Sequence, residues 1–325
     1  EPVKYKGASL ELRCSMGVAT ALSGTPEALL GAADAALYSA KDEGRNRVKA
    51  GAEAEAYLQL EDQLVQGVEL GEITPWFQPI ICLETGELVG AEALARWQHD
   101  DLIYYPPTFL PIVEALPTLN QAFCELQLRR CCEQAKEWEL RWNGWISFNL
   151  SQQGLQRDDL IDWLTSEFNR AGIAPALIAV EATEQLQATP QIREALAHLD
   201  ERFAALLNSG FDLLLDDFGG PGGGSGTQMS WMIRALAPNT PSRVVVKLDR
   251  ALVEGIDQRP PLFRLTEGLI QTIHALGLKV IAEGIETEAE AQCLIEMGCD
   301  YGQGWHWGRA IPPDEFEQTW LNQEV

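Results

Sequence analysis

From residue 73 onward the chain repeats one unit: a short apolar run that closes on a polar side chain, then a longer stretch with apolar positions at helical spacing. The runs predict strands over 76–81, 87–93, 145–150, 177–182, 211–217, 244–248, 279–283 and 301–305. The first two are joined by Glu84-Thr85-Gly86, a turn short enough for an antiparallel hairpin. The others are separated by helical stretches, as in βαβ units. Eight strands with helical crossovers predict an α/β fold, a TIM-like (β/α)8 barrel with one antiparallel strand. An open doubly wound sheet is the alternative.

Upstream the rhythm differs. Residues 9–22 alternate as a strand or hairpin arm. Thr25 as N-cap, Pro26 at the first helical position and Gly44 as the stop then bound a helix. Leu29, Leu30, Ala33, Leu37 and Ala40 share one face of it, and residues 45–50 return as a strand. Residues 1–50 therefore form a small α/β fragment, too small for a whole domain. Residues 51–70 predict a linker helix with Tyr57, Leu60, Leu64 and Val68 on one side, and residues 71–325 the barrel. The length of 325 residues suits a barrel of roughly 250 plus such a unit.

The polar strand ends carry the chemistry: Gln78, Glu92, Asn149, Glu181, Asp216 with Asp217, Lys247, Glu283 and Gln303. In a barrel these side chains converge on one mouth. A buried acid is unfavourable unless it is paired or ligates a metal. Several carboxylates in one mouth repel one another, and their pKa values rise unless cations are present. Oxygen ligands with one amide among them suit Mg²⁺ or Mn²⁺, and the lack of histidine at these positions disfavours zinc. Two such ions fit in-line attack on a phosphodiester. Asp216 and Asp217 suit a bridging role, but consecutive strand residues face opposite ways, so Asp217 requires a bend; Gly219 and Gly220 give room for one. Taken singly, each acid reads equally well as a helix cap or a salt-bridge partner, Asn149 as a turn residue and Lys247 as an edge-strand solubiliser. Their order and spacing favour a site.

Composition narrows the partners. With 48 acidic and 24 basic residues the net charge is −24, so the chain lacks the basic surface that DNA or RNA polymers require. A phosphate ligand then needs metals or a few placed cations. The seven cysteines are odd in number and form no C-x-x-C, which predicts reduced thiols in a cytosol. No apolar run reaches the roughly 18 residues of a membrane span, and no signal-peptide pattern opens the chain. The expectation is a cytoplasmic protein, or the cytoplasmic part of a larger membrane-anchored one.

At the strand ends the sequence resembles the EAL family of cyclic di-GMP phosphodiesterases from about residue 66 to 322. The resemblance rests on Gln78-Pro79-Ile80, Glu92-Ala93-Leu94 with Arg96-Trp97, Phe148-Asn149-Leu150-Ser151 and Glu181-Ala182-Thr183-Glu184. It continues through Asp216-Asp217-Phe218-Gly219, Lys247-Leu248-Asp249, Ala282-Glu283-Gly284-Ile285-Glu286 and Gln303-Gly304. It implies hydrolysis of cyclic di-GMP to linear pGpG with two Mg²⁺ or Mn²⁺ ions. Glu92, Asn149, Glu181 and Asp216 would hold the first ion; Asp216, Asp217 and Glu283 would serve the second. Lys247 would position or activate the attacking water, and Gln303 would orient water or a metal-bound group. Gln78, Leu94, Arg96, Asp249 and Glu286 would contact substrate, and a homodimer through the barrel is implied. Residues 1–50 resemble the tail of a GGDEF domain, carried by Ser15-Met16-Gly17-Val18-Ala19, Ala33 to Tyr38, Ala40-Lys41 and Gly44-Arg45-Asn46. The signature loop is absent, so no cyclase activity is assigned.

The chain departs from the family after Gly219, where Gly220-Pro221-Gly222-Gly223-Gly224-Ser225-Gly226-Thr227 replaces a Thr-Gly-Tyr-Ser-Ser-like loop. In the family that loop couples dimerisation, the acid at Glu184 and metal binding. A glycine run costs more entropy to order, so the loop is expected to be mobile and activity to depend on its ordering. A nucleotide phosphate loop is not indicated, because no Lys-Ser/Thr follows the glycines. Residues 235–242 read as a small insertion; Ala182 and Trp305 also differ from the family but avoid the metal ligands. His99, His198, His274 and His306 lack ligand spacing, although His306 falls near the mouth. Trp138, Trp142 and Trp163 read as packing residues. The competing expectation is a cyclic di-GMP receptor of weak or no activity, for which the altered loop argues; a scaffold acting by dimerisation alone would not require the complete carboxylate set.

Overall fold

The computed structural model describes residues 3–5, 8–10, 14–19, 33, 36–37, 40–41, 47–50, 52–183, 201–220 and 244–322. The chain divides into two compact units, residues 1–70 and 71–325. In the first, β1 (Val3–Tyr5) pairs antiparallel with β2 (Ala8–Leu10), and β3 (Met16–Val18) pairs parallel with β4 (Val48–Ala50). Helix α1 (Ala52–Leu70) follows, and Leu60, Leu64 and Val68 are buried at the spacing the sequence predicts.

In the second unit eight strands close into a ring. β5 (Ile73–Cys82) runs antiparallel to both neighbours, β6 (Leu88–His99) and β13 (Tyr301–Gly302). Between them β8 (Trp145–Leu150), β9 (Ile178–Thr183), β10 (Asp212–Phe218), β11 (Val244–Leu248) and β12 (Lys279–Ala282) follow in parallel from β6 round to β13. The (β/α)8 barrel with one antiparallel strand is therefore the observed fold, and the open sheet is not. β5 and β6 extend beyond the predicted segments because each completes the other's backbone hydrogen bonds along a hairpin. β7 (Leu102–Tyr104) adds an outer strand to β6 that the sequence reading missed. β13 is shorter than predicted, with only two residues paired.

Helices α2 (Pro106–Ala115), α3 (Pro117–Trp138), α4 (Gln152–Leu155), α5 (Leu160–Ala171), α6 (Pro260–Ala275), α7 (Glu288–Glu296) and α8 (Pro313–Phe316) are described around the barrel. Their boundaries follow local chemistry. Proline opens α2, α3, α6 and α8, where the missing N–H has no intrahelical partner to lose. Gly172 closes α5 in the left-handed region at φ 66°. Thr287 and Glu290 form a reciprocal capping box at the start of α7.

The barrel interior is built in layers. Ile80, Ala179, Leu214 and Ile281 form a buried apolar layer, with Trp145, Val245 and Tyr301 packed against it. Side chains two residues apart along a strand share a face. One step further toward the mouth the same strands therefore present Gln78, Glu181, Asp216, Glu283, Lys247 and Gln303. The apolar layer is the floor on which the polar cluster stands.

Candidate active site

Strand register sets the first contacts. Gln78 lies opposite Glu92 across β5 and β6, and Asn149 lies opposite Glu181 across β8 and β9. Glu92 is 7% exposed and accepts from two amides: Gln303 Nε2 at 2.5 Å and Asn149 Nδ2 at 3.2 Å. Gln303 Nε2 also donates to Gln78 Oε1 at 3.1 Å, and Gln78 Nε2 donates to Gly308 O at 3.1 Å. Three strand residues and Gln303, just past β13, thus form one hydrogen-bonded chain.

Lys247 is at the centre. Its side chain is 1% exposed, and Nζ lies 2.5 Å from Glu181 Oε1, 2.6 Å from Glu283 Oε1, 3.3 Å from Asp216 Oδ1 and 3.6 Å from Glu92 Oε2. Burial works against the ammonium, but the four carboxylates outweigh it and hold Lys247 well above the ordinary lysine range. One cation does not balance four acids. Burial, then repulsion from Glu92 and other carboxylates, raises Glu181 well above its usual value. Burial also pushes Glu283 to about 8 against the attraction of Lys247. Burial pulls Glu92 upward too, but Lys247, Gln303 and Asn149 together leave it below the usual value.

Asp217 reaches the same end of the barrel by a break in the strand. The pairing of β10 with β11 shifts register between Leu215 and Phe218, and Asp217 has φ 59°. Few non-glycine residues accept a positive φ, and they cluster at functional sites. Gly219 follows at φ 83°, where a Cβ would meet Leu252 Cδ1 at 2.5 Å. The predicted bend is therefore present. Burial raises the Asp217 carboxyl, and Asp216 and Asp249 add to it.

The cluster opens into a cavity of about 310 Å³, lined among others by Gln78, Glu92, Leu94, Asp216, Lys247, Glu283, Glu286 and Gln303. A second, mostly apolar cavity of about 190 Å³ lies among α2, α3, β6 and β8; Leu94 lines both cavities, and Asn149 lines this one. Three expected contacts stand elsewhere. Arg96 does not line the larger cavity: it is 8% exposed, donates to the carbonyls of Leu94 (3.4 Å) and Ala95 (2.9 Å), and stacks on Trp76 and Tyr105. Asp249 accepts from Ala251 N at 2.8 Å as a local cap. His306 pairs with Glu288 at 3.1 Å instead of lining the cavity. Glu184, His198, residues 221–227 and the insertion at 235–242 lie outside the described residues.

Arg250, Gly284, Gly304 and Trp305 also line the larger cavity, and the sequence reading assigned none of them a place there. The only available signal was position, since each lies within three residues after a polar strand end. Trp138 and Trp163 are buried packing residues, as expected.

The donor set fits hard divalent cations in its chemistry. Every acidic or amide group offers oxygen, with no thiolate or imidazole among them. Glu181 Oε2, Asp216 Oδ1 and Gln303 Oε1 are buried with no hydrogen-bond partner. Among the described residues, no three acidic, histidine or cysteine side chains already converge as a metal cage. The carboxylates are drawn instead toward Lys247 Nζ.

Comparison with known proteins identifies the family. The EAL domain family model matches residues 61–310. The chain is 29% identical over 328 residues to the bifunctional diguanylate cyclase/cyclic di-GMP phosphodiesterase MucR of Pseudomonas aeruginosa, covering 96% of this chain and 45% of MucR. It is 30% identical over 266 residues to the probable cyclic di-GMP phosphodiesterase PdeB of Escherichia coli, covering 81% of this chain and 47% of PdeB. It therefore spans less than half the length of either relative. Among solved structures, the MucR phosphodiesterase in complex with c-di-GMP superposes with a TM-score of 0.68 at 26% identity, covering 79% of this chain and 99% of that one. The EAL enzyme Bd1971 bound to cAMP and cyclic di-GMP gives 0.69 at 24% identity, covering 82% and 69%. A match across most of the barrel, with the motif residues gathered at one mouth, means that this chain belongs to the EAL domain family.

Proposed function

We propose that this chain hydrolyses one phosphodiester bond of cyclic di-GMP to give linear pGpG. The observation that carries the reading is the meeting of Glu92, Glu181, Asp216, Glu283 and Lys247 within 4 Å of one point at the barrel mouth. Family membership and the named activities of MucR and PdeB support it.

EAL phosphodiesterases generally depend on divalent metals, and two Mg²⁺ or Mn²⁺ ions fit here. Glu92, Asn149, Glu181 and Asp216 would hold one; Asp216, Asp217 and Glu283 would serve the other. When bound, such ions supply charge neutralisation at the phosphate and an activated water. The chain's own groups do the rest. Lys247 donates to carboxylates on two strands, so it suits positioning a water better than accepting its proton. Gln303 fixes Glu92, and its unpartnered Oε1 remains available to accept from a water. Leu94 and Glu286 line the cavity in which the nucleotide would lie; Gln78 braces Gln303 beside it. Arg96 and Asp249 would reach substrate only after leaving their present partners.

The same reading takes residues 1–50 as the tail of a GGDEF domain and 51–70 as a linker helix. It places the protein in the cytoplasm as a homodimer through the barrel. Among the described residues no helix is long and apolar enough to cross a membrane.

The test is incubation with cyclic di-GMP and Mg²⁺ or Mn²⁺, following pGpG by chromatography, with Glu92→Ala as control. Product from the wild type and none from the variant supports the reading. Binding without product overturns it in favour of a receptor.

A further inference from the structure

Two loops wall the cavity beside β11 and β12: residues 249–257 and residues 283–287. One buried carboxylate joins them. Glu290, 5% exposed in the first turn of α7, accepts from Gly255 N at 2.8 Å through Oε1. Its Oε2 accepts from Glu286 N at 2.9 Å and Thr287 N at 3.0 Å. The capping box explains the bond to Thr287. It does not require the bond to Gly255, which lies 35 residues away in the chain.

The same loops meet again at the cavity. Arg250 Nη2 pairs with Glu286 Oε1 at 2.9 Å. Gly284 has φ 71°, and a Cβ there would meet Arg250 Cγ at 2.6 Å, so only glycine permits this approach. Arg250, Gly284 and Glu286 all line the cavity; Glu290 does not. The groups nearer the barrel axis have separate anchors. Glu283 N donates to Leu248 O at 3.1 Å, and Lys247 sits within β11.

We infer that Glu290 is a positioning residue that holds the Arg250–Glu286 rim in the shape that receives substrate, an assignment that rests on the cyclic di-GMP reading above. A carboxylate suits the task because its two oxygens take three amide donors at once. Glutamine keeps one acceptor oxygen and turns an NH₂ group toward a backbone N–H. Burial pushes the Glu290 carboxyl up, but the amides of Gly255, Glu286 and Thr287 outweigh it and leave it below the usual value. The carboxylate is thus ionised at neutral pH.

The experiment compares the wild-type chain with Glu290→Gln and Glu290→Ala. It measures KM and kcat for cyclic di-GMP, and amide hydrogen exchange without added metal. The expected result is a rise of about tenfold in KM, the scale of lost outer contacts at a site. Because the strand-borne groups keep their anchors, kcat should change by less than about threefold. The amides of Gly255, Glu286 and Thr287 should exchange faster, while those of Lys247 and Glu283 hold. Wild-type kinetics and unchanged exchange in Glu290→Gln overturn the inference. So does an equal fall in kcat and kcat/KM with protection lost across the barrel, which marks a merely structural role. A wild type without turnover overturns the functional reading itself, an outcome distinct from both.

Discussion

The unbalanced charge at the barrel mouth predicts that divalent cations flatten the pH dependence of stability. Glu283 rises from an ordinary value of 4.5 to about 8 in the folded chain without metal. The folded state then binds the proton more tightly than the unfolded state. Its contribution to stability is fully present below pH 4.5 and is lost as pH rises through 8. At 1.36 kcal/mol per pH unit, that interval corresponds to at most about 5 kcal/mol. The Glu283 side chain is 21% exposed, so water reduces the effect to roughly 3 kcal/mol. For a domain of this size that is a fall of about 6–12 °C in Tm. Glu181 shifts the same way and adds to it. Glu92, Glu290 and Glu72 shift downward, so their contributions are lost only as pH falls below the usual carboxylate range, outside the window. The assay is thermal unfolding from pH 5 to 8, in chelator and in saturating Mg²⁺. The chelated protein should lose Tm steadily as pH rises, and Mg²⁺ should flatten the profile. Glu283→Gln, metal-free at pH 8, should melt above the wild type while failing to turn over cyclic di-GMP. A chelated profile that is flat or rises with pH would refute the reasoning, as would a Glu283→Gln protein that melts below the wild type at pH 8.

Two further substitutions separate the roles of neighbouring groups. Gln303→Ala removes the 2.5 Å bond to Glu92 and the 3.1 Å bond to Gln78; urea unfolding should show a loss of about 1–3 kcal/mol, and pGpG formation should fall about 10- to 100-fold. No change in either measurement would show that Gln303 does not fix Glu92. Asp217→Asn keeps a residue that tolerates positive φ and removes a carboxylate whose ionised form is disfavoured by burial, Asp216 and Asp249. The metal-free variant should gain about 0.5–1 kcal/mol in the same unfolding assay while losing turnover, a trade between stability and function; a destabilised variant would contradict it.

Much of the fold and most of the site follow from one regularity. A parallel strand covered on both faces reads as a continuous apolar run, so the acid in Ile178-Ala179-Val180-Glu181 or the lysine in Val244-Val245-Val246-Lys247 stands out against it. Two residues back on the same face lies the apolar floor: Ala179 below Glu181, Leu214 below Asp216, Ile281 below Glu283. The pattern places each group on its strand, and ring closure brings them together. What lies outside the strands obeys no such period. The pairing of β7 with β6, the turning of Arg96 onto Trp76 and Tyr105, and the entry of Arg250 into the cavity wall depend on contacts between distant segments.

Lys247 and Glu290 mark the boundary between the two kinds of information. The sequence places a lysine at a strand end and a Thr-x-x-Glu box at a helix start. It predicts that lysine and acids share one mouth, but not that four carboxylates close on Nζ itself, because that approach depends on the closure of all eight strands. Nor does it say that the capping glutamate also holds Gly255, because that bond requires the loop after β11 to fold back over α7's first turn. For Glu290 the local rule accounts for the helix cap and leaves the bond to Gly255 unexplained. A side chain that satisfies a local rule still has spare bonding capacity, and in a barrel the loops above the strand ends are where that capacity meets a distant partner.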